Sequence, residues 1–194
     1  MNPVRSALAS LCVLAAASHA SAAPIPLGGA TTVALNPDTV TVLTVDLGLS
    51  VAPIDPATLV GLNASFPITG AEVDGEDVTR IFHSGGLLLS AGGTSVGLSN
   101  FTIDLPVSTL FGRVSVNGVG DDEVALFTIG EGLQLSLTDA AANALNGVFG
   151  ITALQGGIPV GEASVNPQAV PEPTTMVLVG LSLGALAIRR RAAR

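Results

Sequence analysis

The chemistry open to this chain is confined to one serine motif, one histidine and two acidic runs. Gly93-Thr94-Ser95-Val96-Gly97 has the G-x-S-x-G spacing that can present a serine as a nucleophile on a tight turn. His83 is the only histidine beyond the first 22 residues, and so the only base or ligand of its type there. Glu72-Val73-Asp74-Gly75-Glu76-Asp77 and Asp121-Asp122-Glu123 supply hard oxygen ligands of the kind that hold calcium. Each motif fails a further requirement. A nucleophile elbow needs a helix after the serine and a histidine downstream of it, yet an alternating segment follows Ser95 and His83 precedes it. A glycine-rich hairpin turn is therefore expected, with no catalytic residue. His83 lacks partners at metal-site spacing and reads as a polar strand end beside Gly85-Gly86. Neither acidic run has the spacing of an EF-hand loop, so both read as solvated loops, and no metal site or cofactor is implied. Paired carboxylates also serve glycosidases. Those enzymes bind sugars on aromatic platforms, and six phenylalanines without tryptophan or tyrosine make a poor one.

The elements that must position these groups are mostly strands. Leu133, Leu135 and Leu137 alternate with polar residues, as do Phe101, Ile103 and Leu105, and Val114 with Val116. The apolar set between Thr39 and Leu49 slips phase at Val42-Leu43, which predicts a strand with a bulge. Further strands are predicted at 66–73, 78–83, 86–90, 94–99, 124–130 and 158–165. Asp74-Gly75, Gly85-Gly86, Gly92-Gly93 and Asn117-Gly118 supply the turns between them. One helix is predicted over 139–149, with Thr138 as N-cap, Gly150 after its end, and Ala141, Ala144, Leu145 and Val148 as its buried stripe. The segment from Ser50 to Asn63 has Asp55-Pro56 as a capped start and is expected to hold a short helical turn. The fold class is mainly β: an antiparallel β-sandwich or partly closed barrel with one short helix.

Both ends of the chain read as export signals. Met1 to Arg5 is a positive n-region and Ala7 to Ala17 an apolar h-region. Ala20-Ser21-Ala22 is a small-residue site for signal peptidase, with cleavage expected between Ala22 and Ala23. Cys12, the only cysteine, lies inside this leader, so residues 23 onward offer neither disulfide nor thiol chemistry. Near the other end, Thr174 to Ile188 would make about 22 Å of apolar helix at ~1.5 Å per residue, short for a bilayer core about 30 Å thick. Arg189, Arg190, Arg191 and Arg194 follow, which places that end inside by the positive-inside rule. The domains expected are a signal peptide (1–22), a β-rich ectodomain (23–165), a linker (166–173), and a transmembrane helix with its cytoplasmic tail (174–194). Between the signals, two arginines stand against fourteen acids, a net charge of −12 over residues 23–170. Such a surface repels phosphates, which excludes a nucleic-acid partner.

Pro171-Glu172-Pro173, the short apolar run and the arginine cluster together resemble the C-terminal sorting signal of PEP-CTERM proteins. The resemblance implies a passage through the inner membrane and recognition by an exosortase that cuts near Pro171-Glu172-Pro173. It also implies delivery to the cell surface or extracellular matrix, in a system associated with exopolysaccharide and biofilm. A second resemblance is carried by His83-Ser84-Gly85-Gly86, by Leu98-Ser99-Asn100 and by the helix ending Val148-Phe149-Gly150. These are similar to HtaA-type domains of haem-uptake proteins. Their iron ligand is a tyrosine, which this chain lacks, so the resemblance bears on fold. The function expected is a non-catalytic structural or adhesive role, with polysaccharide as a partner. The alternative is a binding module for haem, calcium or a glycan.

Overall fold

Period-two alternation along most of the chain builds a ring of antiparallel strands. The computed structural model describes residues 25–170, without the side chains of residues 121 and 122. The strands are β1 (Leu27–Leu35), β2 (Ser50–Ile54), β3 (Thr58–Val60), β4 (Asn63–Asp74), β5 (Asp77–His83), β6 (Gly86–Ala91), β7 (Thr94–Asp104), β8 (Thr109–Val116), β9 (Val119–Ile129), β10 (Gln134–Leu137) and β11 (Pro159–Ala169). Their order is β2-β6-β7-β5-β4-β1-β11-β10-β9-β8, and β8 pairs back onto β7. That last pairing closes eight strands into a barrel and leaves β6 and β2 as a flap outside the ring. The open alternatives in the sequence reading thus resolve to a closed barrel.

β7 makes both closure and flap possible. Its first half pairs with β6, and its last three residues, Thr102 to Asp104, pair with β5. It pairs with β8 along both halves, across a register shift between Ser99 and Thr102. Asn100 sits in that bulge with φ 52° and donates its N–H to the Gly85 carbonyl. Gly85, with φ 78°, turns the chain from ring to flap where a Cβ would lie 2.4 Å from the Ala57 nitrogen. No larger residue fits there.

The inward faces form one core. Phe66 and Phe101 meet edge to face with centroids 5.0 Å apart. Ile68, Ile81, Ile103, Leu110, Leu126 and Leu135 fill the space around them. Leu135 and Leu137 point in while Gln134 is exposed, as the alternation predicts. Leu133 lies in a 3-10 turn (Glu131–Leu133) before β10 and packs partly against the core. Helix α2 (Asp139–Phe149) starts at Thr138, whose hydroxyl accepts the Ala141 N–H, and ends at Gly150 in a left-handed conformation. Its buried face is Ala141, Ala142 and Leu145, while Ala144 is exposed and Val148 half-buried.

Three expectations are corrected. The strand expected across Thr39–Leu49 is helical: α1 (Pro37–Thr41) continues into a π-helical turn, Val42–Asp46. Asn36 caps it by accepting the Asp38 and Thr39 N–H groups, and Pro37 fits the donor-free first turn. Leu43 and Leu47, four apart, pack on the core while Val45 is 72% exposed. The phase slip read as a bulge was helical spacing. The helical turn expected within Ser50–Asn63 is instead β2 and β3, joined at a cis Asp55–Pro56 peptide. Val51 and Leu59 pack inward between exposed neighbours, which is period two. The linker expected from residue 166 starts later, because β11 runs to Ala169. Pro167 is tolerated because β10 stops pairing at Glu162, leaving that side of β11 without a ladder.

Leu135→Ala should destabilise the barrel by about 2–5 kcal/mol, since Leu135 is 3% exposed. Gln134→Ala should change stability by less than about 0.5 kcal/mol. Urea denaturation of the two variants checks the register.

Candidate functional site

The serine and the histidine are kept apart by the sheet. Ser95 lies beside the Gly92-Gly93 turn, and Asn117 Oδ1 accepts its backbone N–H at 3.0 Å. His83 ends β5, which meets β7 at Phe82↔Thr102. Ser95 and Thr102 are seven steps apart along β7, roughly 23 Å at ~3.3 Å per residue. They form no nucleophile–base pair.

His83 is the sequence-selected residue whose setting differs most from expectation. It ends a strand as expected, but it shares the inward face with Ile81 and is 6% exposed. Both ring nitrogens are engaged. Nδ1 donates to the Phe101 carbonyl at 3.1 Å, so Nε2 of the neutral ring accepts the Thr31 hydroxyl at 2.7 Å. The pair bridges β1 and β5 beside an apolar interior cavity of about 50 Å³. Burial pushes the His83 pKa down, against a smaller opposing effect of the Phe101 carbonyl. A ring so satisfied presents no lone pair to an iron or zinc.

The acidic runs sit at hairpins. Glu72 to Asp77 wraps the β4–β5 turn, and Glu123 lies on β9. Among the described residues, no three acidic, histidine or cysteine side chains are placed to hold a metal ion. Arg80 donates from Nε to Asp104 Oδ2 at 2.7 Å. That bond, with smaller contributions from the charges of Glu72 and Glu123, raises the Arg80 pKa.

What the fold assembles instead is a groove. Helix α2 lies along the face of β7, β8 and β9, and its small Ala141 and Ala142 seat its N-terminal half closely. Between the helix and the sheet is a cavity of about 390 Å³, lined from Ala141 to Val148 on the helix side. Val96, Val114, Val116, Val119, Val124 and Leu126 line the sheet side, and Ala144, Leu145 and Val148 the helix side. Among the described residues, no polar or charged side chain lines it, and Val119 is 80% exposed at its rim. The volume is within the range of small-molecule pockets. The predicted helix stripe contained Ala144 and Val148, but only the tertiary structure shows that they face a space. The legible signal was an apolar stripe opposite the valines of β8 and β9.

The groove lies far from where the chain enters and leaves the barrel. Leu27 pairs with Ala169, and Leu35 pairs with Gly161 at the other end of the same ladder. α1 starts just past Leu35, and Thr39 donates to the Pro159 carbonyl. Leu137, the residue before the α2 cap, donates to Ile158 at that same end. Both helices therefore cap the end opposite Leu27 and Ala169.

Pro171, Glu172, Pro173, Arg189, Arg190 and Arg191 lie outside the described residues, as do Ala20, Ala22 and Ala23 and the span 174–188. Among the described residues, no helix is long and apolar enough to cross a membrane. Residues 169–191 match the PEP-CTERM protein-sorting motif. The chain carries a PEP-CTERM sorting signal. That signal specifies secretion, transient anchoring in the membrane, and exosortase-mediated placement at the cell surface or outside the cell. No curated protein matches the sequence. The fold resembles the crystal structure of the haem-binding protein HtaB from Corynebacterium glutamicum, with a TM-score of 0.53 at 13% identity. The likeness covers 74% of this chain and 93% of that one, and at this identity it concerns the fold.

The buried histidine sets a pH dependence. Its folded pKa lies below the unfolded value of about 6.5, so the unfolded chain binds the proton more readily. Stability should be full above that pH and fall as the solution is acidified through it. Thr31→Val should remove the hydroxyl that Nε2 accepts and lower stability by about 1–3 kcal/mol at neutral pH. Denaturation of wild type and variant across pH 5–8 measures both.

Proposed function

We propose that this is a non-catalytic binding protein, displayed at the cell surface or in the extracellular matrix, whose site is the groove between α2 and β7–β9. One observation carries the reading: a pocket-sized space whose described lining is all apolar, at the barrel end opposite the tether. Burial of aliphatic surface favours a neutral, largely apolar small molecule, at about 25 cal/mol per Å² removed from water. Among the described residues the lining holds no base, nucleophile or charge, which supports binding over turnover. Haem is a rational probe because HtaB, of similar fold, is a haem-binding protein. Here haem would rest on shape and apolar contact, since the described residues of the groove lining offer iron no ligand.

A structural or adhesive role among exopolysaccharide, in a biofilm, is the second reading, and the sorting signal favours it. Export would begin with signal peptidase cutting between Ala22 and Ala23. The exosortase would then act near Pro171-Glu172-Pro173 while Arg189, Arg190 and Arg191 stay inside. Loss of matrix polysaccharide on deleting the gene, restored by a groove-blocked variant, would favour this reading over the first.

The neutral fluorophore N-phenyl-1-naphthylamine, and haemin separately, should bind the exported protein and raise its melting temperature. Saturation at one hundred times the dissociation constant stabilises by about 2.7 kcal/mol. Val148→Asp, on the half-buried helix face, should weaken binding by at least about tenfold by placing a carboxylate against the ligand. Equal binding by wild type and variant would rule the groove out. For the tail, Glu172→Ala should leave membrane insertion intact and stop release, because hydrophobicity is kept and the motif is lost. Mass spectrometry of the released protein reads the outcome, and a C-terminus still at Arg194 would contradict the cut.

A further inference from the structure

The last three pairs of the β1–β11 ladder differ from those before them. Thr31, Thr32 and Val33 face Val165, Ser164 and Ala163, and β4 flanks β1 on its other side as far as Ala30. Beyond Ala30, Gly29 meets Pro167, Gly28 meets Gln168 and Leu27 meets Ala169. Here β11 has no ladder with β10, whose pairing ends at Glu162, while β1 is still pinned to β4 beyond the three pairs, where Ile25 and Ala71 exchange backbone hydrogen bonds of 2.8 and 3.1 Å. Over the three pairs the end of β11 is therefore held by β1 alone, and a two-stranded ribbon of this kind is marginal. Its composition weakens it further. Two glycines lose more freedom on pairing than other residues, and Pro167 has no N–H to give. Gly29 is held at φ 95°, where a Cβ would lie 2.1 Å from the Asn166 carbonyl oxygen.

The sorting motif begins where this ribbon ends. Its match starts at residue 169, and one residue, Val170, separates Ala169 from Pro171. An enzyme that cuts near Pro171-Glu172-Pro173 must hold several residues before the cut in extended form, and the nearest ones are paired to β1. We infer that the ribbon Leu27–Gly29/Pro167–Ala169 is a release element, which opens to hand the end of β11 to the exosortase. The inference rests on the reading of the tail as a cut sorting signal. The pairs from Thr31 inward, with β-branched Thr31, Thr32 and Val33 on β1 and β4 flanking them, limit the opening, so the barrel stays folded while the ribbon frays. Cutting then follows the population of the open ribbon.

A disulfide across the ribbon tests this in the full chain, expressed in cells that hold the exosortase. Cys12 lies in the leader, so introduced cysteines after residue 22 can pair only with each other. The compartment beyond the inner membrane favours the bond. Gly28→Cys with Gln168→Cys should leave the protein uncut in the membrane, with cutting slowed by about tenfold or more. Thr32→Cys with Ser164→Cys, deeper in the same ladder, should be cut at the wild-type rate. Inserting Gly-Ser-Gly-Ser between Ala169 and Val170 of the locked chain should restore cutting, since extended chain is then available without opening. Wild-type cutting of the locked chain, or failure of the insertion to rescue it, would overturn the inference. Wild-type protein reaching the surface with Arg194 intact would instead overturn the sorting reading beneath it.

Discussion

The structure depends on β7 bonding to neighbours on both sides along most of its length. A sheet of this size ends either in exposed edges, which pair with other chains, or in closure. β7 achieves closure by taking β8 on one side and by dividing the other side between β6 and β5. The bulge near Asn100 and the turn at Gly85 are the local features that let one strand serve both ring and flap. Loss of either would set the register of β6 against that of β5, and the ring could not close with its apolar residues inside.

Closure also explains the buried polar pair and the groove. A ring of eight strands has an interior that side chains just fill, so a polar residue on an inward face must be satisfied locally. His83 and Thr31 satisfy each other across β4, with the Phe101 carbonyl as third partner. At the end of the barrel that α2 covers the constraint is weaker. α2 covers only part of the face that β7, β8 and β9 present, because a short straight helix cannot follow a curved, twisted sheet along its length. The uncovered part is the groove.

The antiparallel order then separates delivery from binding. β1 and β11 run side by side, so both chain ends leave the barrel at one end and both helices cap the other. A protein held at a membrane by the tail presents the helix end, and with it the groove, away from the lipid. The barrel supplies a rigid spacer whose own surface is acidic and carries no lysine.

The sequence by itself determined the delivery route and most of the strands. The sorting signal is legible because residue order alone is its chemistry: Pro-Glu-Pro, an apolar run and arginines need no tertiary partner to be recognised. The alternation at Phe101–Ile103 and Leu135–Leu137 and the cap at Thr138 were legible for a similar reason, since a periodic face or a local hydrogen bond fixes each. The tertiary structure alone decided the rest. Pro37 to Asp46 became helix because Asn36 and Pro37 start one and the core takes Leu43 and Leu47 at helical spacing. Ring closure depends on pairing β7 with β8 and joining β1 to β11, contacts too distant for any local period to report. The groove is a mismatch between two surfaces, and His83 is buried by strands far from it in the chain. Neither can be read until the strands have met.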